Sequence, residues 1–161
     1  MRTVELEVFK FVELSESGKD SARAWYREVS DFPWFDEYLA SIRAFCGVFG
    51  VTLKDWCIGD SYRAFLKTDA DTHHFRGYRL KDAEKLRDKE LTGFMGDLFI
   101  AEEFYEVFKK TGDARYAFEQ SLEKILNDIR LDVEGYFSDE SIDEMLEVNE
   151  YEFYENGKIY H

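Results

Sequence analysis

The longest regular pattern in the sequence is an apolar stripe with three- and four-residue spacing that begins at Tyr116 and ends at Val133. An α-helix places residues with this spacing on one face, and the stripe needs about five turns. Asp113 precedes the stripe as a candidate N-cap, and Gly135 and Tyr136 follow it. The pattern predicts one long amphipathic helix, which must bury its apolar face against other parts of the chain.

Shorter stripes of the same kind predict further helices on both sides. Pro33, the only proline, separates a first helix at about 20–30, which Ser17 or Asp20 could cap, from a second helix. The second helix carries the apolar stripe of Phe35–Phe49. Three other helices are predicted: one at 98–110, one short helix that Ser138 opens, and one within the otherwise loop-like stretch 81–97.

Alternating segments predict strands, and the turn dipeptides Gly59-Asp60 and Asn156-Gly157 each lie between two of them, as in hairpins. The predicted strands are Thr3–Val12, Val51–Ile58, Ser61–Lys67, Phe75–Leu80, Tyr151–Tyr154 and Lys158–His161. The expected fold class is therefore α+β, a small antiparallel sheet packed against several amphipathic helices. We expect a single domain over residues 1–161, with an acidic C-terminal part at about 128–157.

The composition excludes several classes of protein. Hydrophobic residues make up 45% of the 161 residues and aromatic residues 17%, which is enough to form a core and excludes disorder. The formal charge of −14 argues against direct nucleic-acid binding, and it favours a core role for the strand-like aromatics over a base-stacking platform. No apolar run approaches the ~20 residues of a membrane span, and the start of the chain does not resemble a signal peptide. Two cysteines fit a reduced, cytoplasmic protein without a membrane partner.

The charge is concentrated near the end of the chain. Residues 1–90 hold 17 acids and 15 bases, whereas residues 91–161 hold 18 acids and 6 bases. From Asp132 to Gly157 there are ten acids and no Lys or Arg. Like charges four residues apart on a helix repel, as at Asp139 and Asp143. The stretch is either a solvated helix face that keeps the protein soluble or a negative surface for a basic partner.

Candidate catalytic and metal-binding groups are few. The cluster Asp69-x-Asp71-x-His73-His74 has metal-ligand chemistry, but adjacent histidines on a strand point to opposite sides, so a polar surface turn is favoured and no metal or cofactor is predicted. Cys46 lies on an apolar stripe and Cys57 has no nearby histidine in sequence, so neither is predicted to be a nucleophile. Serine nucleophile, Walker and dinucleotide motifs are absent. We therefore expect a protein that is not an enzyme.

Seven segments carry a resemblance to a known family: Met1–Leu6, Phe11–Glu16, Ala22–Glu28, Ser41–Cys46, Gly112–Gln120, Ser138–Met145 and Asn149–Lys158. These segments resemble small proteins encoded by bacteriophages and prophages, a family often labelled as an antitoxin of a toxin–antitoxin stability system. The resemblance implies a phage accessory protein that acts in the cytoplasm of the bacterial host. It supplies no catalytic residues.

In that setting, the acidic stretch suggests an inhibitor of a host defence nuclease complex of the restriction or CRISPR type, which would mimic DNA in a basic nucleic-acid-binding groove. The alternative is an antitoxin that neutralises a toxin by direct contact. An aromatic surface around Trp56, Tyr62 and Phe65 is a second candidate contact. The sequence does not indicate an oligomeric state. The predicted partner-binding residues are Glu134, Asp139, Glu140, Asp143, Glu144, Glu147 and Glu150.

Overall fold

A computed structural model describes residues 7–58 and 63–160 of the chain. Helices dominate, and the strands form two antiparallel pairs, so the α+β class is confirmed. Within the described residues the elements are β1 (Phe9–Lys10), α1 (Glu16–Val29), α2 (Phe35–Val48), β2 (Leu53–Cys57), β3 (Phe65–Thr68), α3 (Leu80–Arg87), α4 (Met95–Thr111), α5 (Ala114–Tyr136), α6 (Asp139–Val148) and β4 (Glu152–Phe153), with short 3-10 helices at Phe11–Glu13 and Thr72–Phe75. No helix in these described ranges combines the length and apolar character needed to cross a membrane.

The chain divides into two compact units. The terminal unit consists of Met1–Phe32 and Val133–His161, and the middle unit consists of Pro33–Asp132. The prediction of a single domain over residues 1–161 stays a prediction, because this division describes contacts between residues and does not measure independent folding.

The terminal unit closes around a small aromatic and aliphatic core. In it, β1 pairs with β4, with Phe9 opposite Phe153, and α1 packs against α6. The predicted turn at Asn156-Gly157 is confirmed, since the Gly157 N–H donates to the Tyr154 carbonyl oxygen at 2.9 Å. The buried residues of this core are Phe11, Leu14, Ala22, Tyr26, Ile142, Leu146 and Phe153.

The middle unit has a core of aromatic rings contributed by helices. The predicted stripe on α2 is confirmed, and its Phe45 ring stacks on Phe118 of α5 with centroids 5.4 Å apart. Phe49 contacts Phe104 of α4 at 5.0 Å. The predicted hairpin is also confirmed, because β2 pairs antiparallel with β3. Its turn at Gly59-Asp60 lies outside the described residues.

Two strand predictions were wrong in the described residues. The predicted strand Phe75–Leu80 is instead the end of a 3-10 helix followed by a connection to α3. Within that segment the Tyr78 N–H donates to the Phe75 carbonyl oxygen at 3.2 Å, a turn bond that extended backbone does not make. The first strand is only Phe9–Lys10 among the described residues, because the Glu13 carboxylate accepts the Lys10 N–H at 2.7 Å and closes a turn.

Helix starts also differ from prediction. The N-cap of α1 is Ser15, whose hydroxyl accepts the Gly18 N–H, so neither Ser17 nor Asp20 caps it. Helix α4 begins at Met95, three residues earlier than predicted. The buried Asp97 carboxylate accepts three backbone N–H groups from residues 91–93, which organises the loop before α4. The predicted end of α5 and the Ser138 cap of α6 are confirmed.

Candidate protein-binding surface

Helix α6 presents most of the predicted partner-binding residues. Ser138 opens it by accepting the Ser141 N–H at 3.3 Å. Its apolar residues Ile142 and Leu146 are fully buried in the core of the terminal unit. Because these two residues fix which face of α6 is inward, the five acidic residues of the helix are directed to its flank and to the outside.

Two of the predicted acids are partnered by arginines of α1. The Arg23 guanidinium donates to both oxygens of the Asp143 carboxylate, each at 2.7 Å, and this bond raises the pKa of Arg23 above its usual value. Arg27 donates to Asp139, and this hydrogen bond holds the pKa of Asp139 below its usual value. These two carboxylates therefore join α6 to α1, and less of their charge is available to a partner.

Three other acids form an exposed row on α6. Glu140, Glu144 and Glu147 are spaced four and three residues apart, and we call them the glutamate face. Their side chains make no hydrogen bond or ion pair with any residue in the described part of the chain. Val148, 72% exposed, lies one turn beyond Glu144 on the same helix. The glutamate face therefore combines open negative charge with an apolar neighbour.

The last two predicted residues lie outside α6. Glu134 is exposed in the final turn of α5. Glu150 follows α6 with a positive φ of 55°, and its carbonyl oxygen accepts a hydrogen bond from the Lys10 ammonium at 3.1 Å. Glu150 and Glu147 line a shallow cleft of about 210 Å³, together with the exposed Val12. The cleft extends the glutamate face toward the start of the chain.

The two units differ in charge. By sequence, the terminal unit holds 16 acids and 6 bases, a net charge of −10, whereas the middle unit holds 19 acids and 15 bases, a net charge of −4. The negative potential is thus strongest around the unit that carries the glutamate face.

The alternative aromatic surface does not form one platform in the described residues. In the hairpin register, Trp56 is opposite Leu66 and Cys57 is opposite Phe65. Since side chains alternate along a strand, Trp56 and Phe65 lie on opposite faces of the hairpin. Tyr62, the third residue predicted for this surface, lies outside the described residues. Trp56 is instead covered by the Arg43 guanidinium, 4.6 Å from its ring.

The candidate nucleophiles and metal ligands fall in the middle unit. Burial raises the pKa of the Cys46 thiol to about 12, so it is a thiol at neutral pH.

The predicted metal-ligand cluster is divided between two sets of contacts. The Asp69 carboxylate accepts a hydrogen bond from the Thr52 N–H at 2.7 Å and forms an ion pair with the Lys54 ammonium at 2.9 Å. The premise that His73 and His74 point apart was wrong, because they lie on a 3-10 helix and their rings stack with centroids 4.1 Å apart. The prediction that no cofactor is bound stays a prediction.

Sequence reasoning missed the arginine partners of the acidic stretch. Arg23 and Arg27 are four residues apart on one helix, and Asp139 and Asp143 are four residues apart on another. This matched spacing is a signal that two helices could pair their charges, although it does not say which helices meet. No family model, curated protein or solved structure matches this chain.

Proposed function

We propose that this chain is a non-catalytic protein that binds a basic protein surface through its glutamate face. In the phage setting that the sequence resemblance implies, the partner is a host defence nuclease complex of the restriction or CRISPR type. The chain would inhibit that complex by occupying its nucleic-acid-binding groove. The observation that carries the proposal is the row of three exposed carboxylates, without ion-pair partners among the described residues, in a unit of net charge −10.

The dimensions of the row suit this role. Glu140 and Glu147 are seven residues apart on α6, which corresponds to about 10 Å along a helix. Phosphates along one DNA strand repeat every ~3.4 Å of the duplex axis, so the row covers the length of about three of them. A groove that binds DNA through Lys and Arg would meet a similar run of negative charge.

The two ion pairs with α1 support the proposal in a different way. Arg23 and Arg27 hold α6 at two positions one turn apart, at Asp143 and Asp139. A helix held in this way presents the glutamate face with little further ordering on binding, which lowers the entropic cost of association. The paired aspartates are thus assigned to positioning and the three glutamates to contact.

The test compares two triple variants with the same net charge. The variant Glu140→Gln, Glu144→Gln and Glu147→Gln removes the glutamate face, and the control Glu28→Gln, Glu37→Gln and Glu84→Gln removes three exposed acids from different helices. Each is expressed in a host that carries a restriction or CRISPR system, and plaque formation by a sensitive phage is counted. We expect the control variant to protect the phage from the host defence system, so that plaques form. The variant that lacks the glutamate face should not protect the phage, and few plaques should form.

The result is interpretable only if both variants have the circular dichroism spectrum of the unaltered chain. If both folded variants protect the phage equally well, the glutamate face is not needed for inhibition. Equal loss of protection would show that total charge matters and the row does not.

A second candidate function is favoured by the apolar residues beside the glutamate face. Val148 and Val12 are more than half exposed, and each borders acidic residues of the terminal unit. Exposed aliphatic side chains of this kind suit direct contact with a folded protein more than imitation of DNA. The alternative is an antitoxin that binds its toxin here, and the test is whether co-expression relieves the toxicity of a neighbouring gene product.

A further inference from the structure

The 3-10 helix Thr72–Phe75 gathers three side chains with metal-ligand chemistry. Asp71 is its N-cap, and His73 and His74 follow within the same turn. Residues three apart nearly eclipse in a 3-10 helix, which places Asp71 and His74 on one side. The ligand atoms of these three residues all lie within 4.8 Å of one another. We propose that Asp71, His73 and His74 form a surface site for a divalent transition-metal ion of the Zn²⁺ type.

Packing against the core positions the histidine side chains, and this packing does not depend on a cation. Phe75, the next residue, is buried and its ring lies 5.4 Å from Phe49 and 5.2 Å from Phe118. The His74 side chain is only 14% exposed, whereas the His73 side chain is 63% exposed. The core therefore anchors one imidazole, and the other stacks on it from the solvent side.

The hydrogen bonds of the turn leave room for coordination. The Asp71 Oδ1 accepts the His73 backbone N–H at 2.7 Å and also contacts Nδ1 of the His73 ring. A carboxylate has two oxygens, so Asp71 can bind a cation with its Oδ2. The His74 Nδ1 accepts the Asp71 N–H at 3.2 Å. Because that N–H is exposed, water can replace this bond when the nitrogen turns to a metal ion.

The donor set selects the class of metal. Two imidazoles and one carboxylate suit Zn²⁺ and its neighbours, whereas Mg²⁺ and Ca²⁺ prefer oxygen ligands alone. Tetrahedral ligands at about 2.1 Å from Zn²⁺ lie roughly 3.4 Å apart, so the ligand atoms, now within 4.8 Å of one another, must move closer together when the ion binds. The exposed side of the cluster leaves a fourth position for water.

The test is calorimetric titration of the chelator-treated protein with ZnCl₂. The chain has three histidines, so His161→Ala is the matched control that removes the imidazole outside the cluster. We expect one Zn²⁺ per chain, a Kd at least tenfold weaker in His73→Ala, and a Kd within twofold of the unaltered chain in His161→Ala. MgCl₂ should give no binding heat.

A second variant protects the test from a folding defect. Asp71→Asn keeps a side-chain oxygen that can accept the His73 N–H, so the turn should still form. This variant should also bind Zn²⁺ with a Kd at least tenfold weaker than that of the unaltered chain. In nuclear magnetic resonance spectra, Zn²⁺ should shift the imidazole signals of both His73 and His74. The proposal is overturned if Zn²⁺ does not bind, if His73→Ala and Asp71→Asn bind it as tightly as the unaltered chain, or if only His161→Ala weakens it.

Discussion

Arg23 binds Asp143 with two parallel hydrogen bonds, Nε to Oδ1 and Nη2 to Oδ2, both 2.7 Å long. The same guanidinium reaches Asp20 through Nη1 at 2.9 Å, and its side chain is only 13% exposed. The pair joins residues 120 positions apart in the sequence and fixes α6 on α1. Its position explains how the terminal unit tolerates an acidic helix, since Asp143, the least exposed acid of α6, is paired with a guanidinium.

Breaking this pair should destabilise the chain. Removal of one partner leaves the other charge partly buried, so we expect Asp143→Asn to lower the free energy of unfolding by about 1–2 kcal/mol. Glu144→Gln, on the same helix but exposed, should change it by less than about 0.5 kcal/mol. Urea denaturation followed by circular dichroism measures both. Equal stability of the two variants would show that the Arg23 pair contributes nothing.

The turn at Gly157 requires glycine. Its φ is +78°, and a Cβ atom there would overlap the carbonyl oxygen of Gly18. Gly157→Ala should therefore lower the free energy of unfolding by about 2 kcal/mol or more, since it combines an unfavourable φ with a backbone clash. Gly135→Ala is the control, because Gly135 is helical and an added Cβ would meet no atom within 4 Å apart from its neighbours along the helix backbone. That variant should be neutral or more stable by up to about 1 kcal/mol, and thermal unfolding compares the two.

Acid should weaken the hairpin of the middle unit. The Thr52 N–H and then Lys54 lower the pKa of Asp69 from 3.8 to about 2. Since the folded pKa lies below the unfolded one, the contribution of Asp69 is present above pH 4 and is lost as the pH falls toward 2. Asp69→Asn should flatten the pH dependence of unfolding in this window. Asp31→Asn should keep the original slope, because Asp31 makes no hydrogen bond or ion pair among the described residues. A slope that Asp69→Asn leaves unchanged would contradict the prediction.

Binding through the glutamate face should depend strongly on salt. The Debye length falls from about 10 Å at 0.1 M to about 3 Å at 1 M, so a purified partner should bind at least tenfold more weakly at the higher salt. Excess duplex DNA should compete with the chain for the same partner. Val148→Ser should change the affinity by less than twofold. Affinity that is insensitive to salt and falls with Val148→Ser would favour the antitoxin interpretation over DNA mimicry.

Much of the candidate site was accessible from the sequence. The run without Lys or Arg identified all seven acids, and the helix with its Ser138 cap placed five of them on one element. The sequence did not show which of these acids are ion-paired. Asp139 and Asp143 are paired with arginines, whereas the three residues of the glutamate face are not. That distinction depends on which helix packs beside α6, and such packing is not encoded in local spacing.

The sequence by itself determined the elements whose signals are local. The stripes of α2 and α5 define helices because 3.6 residues complete a turn, and Asn156-Gly157 defines a hairpin because only a few residues adopt a positive φ. The tertiary structure decided the rest. The segment Phe75–Leu80 is not a strand, since extended backbone needs a neighbouring strand and the Tyr78 N–H bonds the Phe75 carbonyl oxygen instead. The stacking of His73 on His74 and the pairing of Arg23 with Asp143 likewise depend on backbone geometry and on contacts between residues distant in sequence.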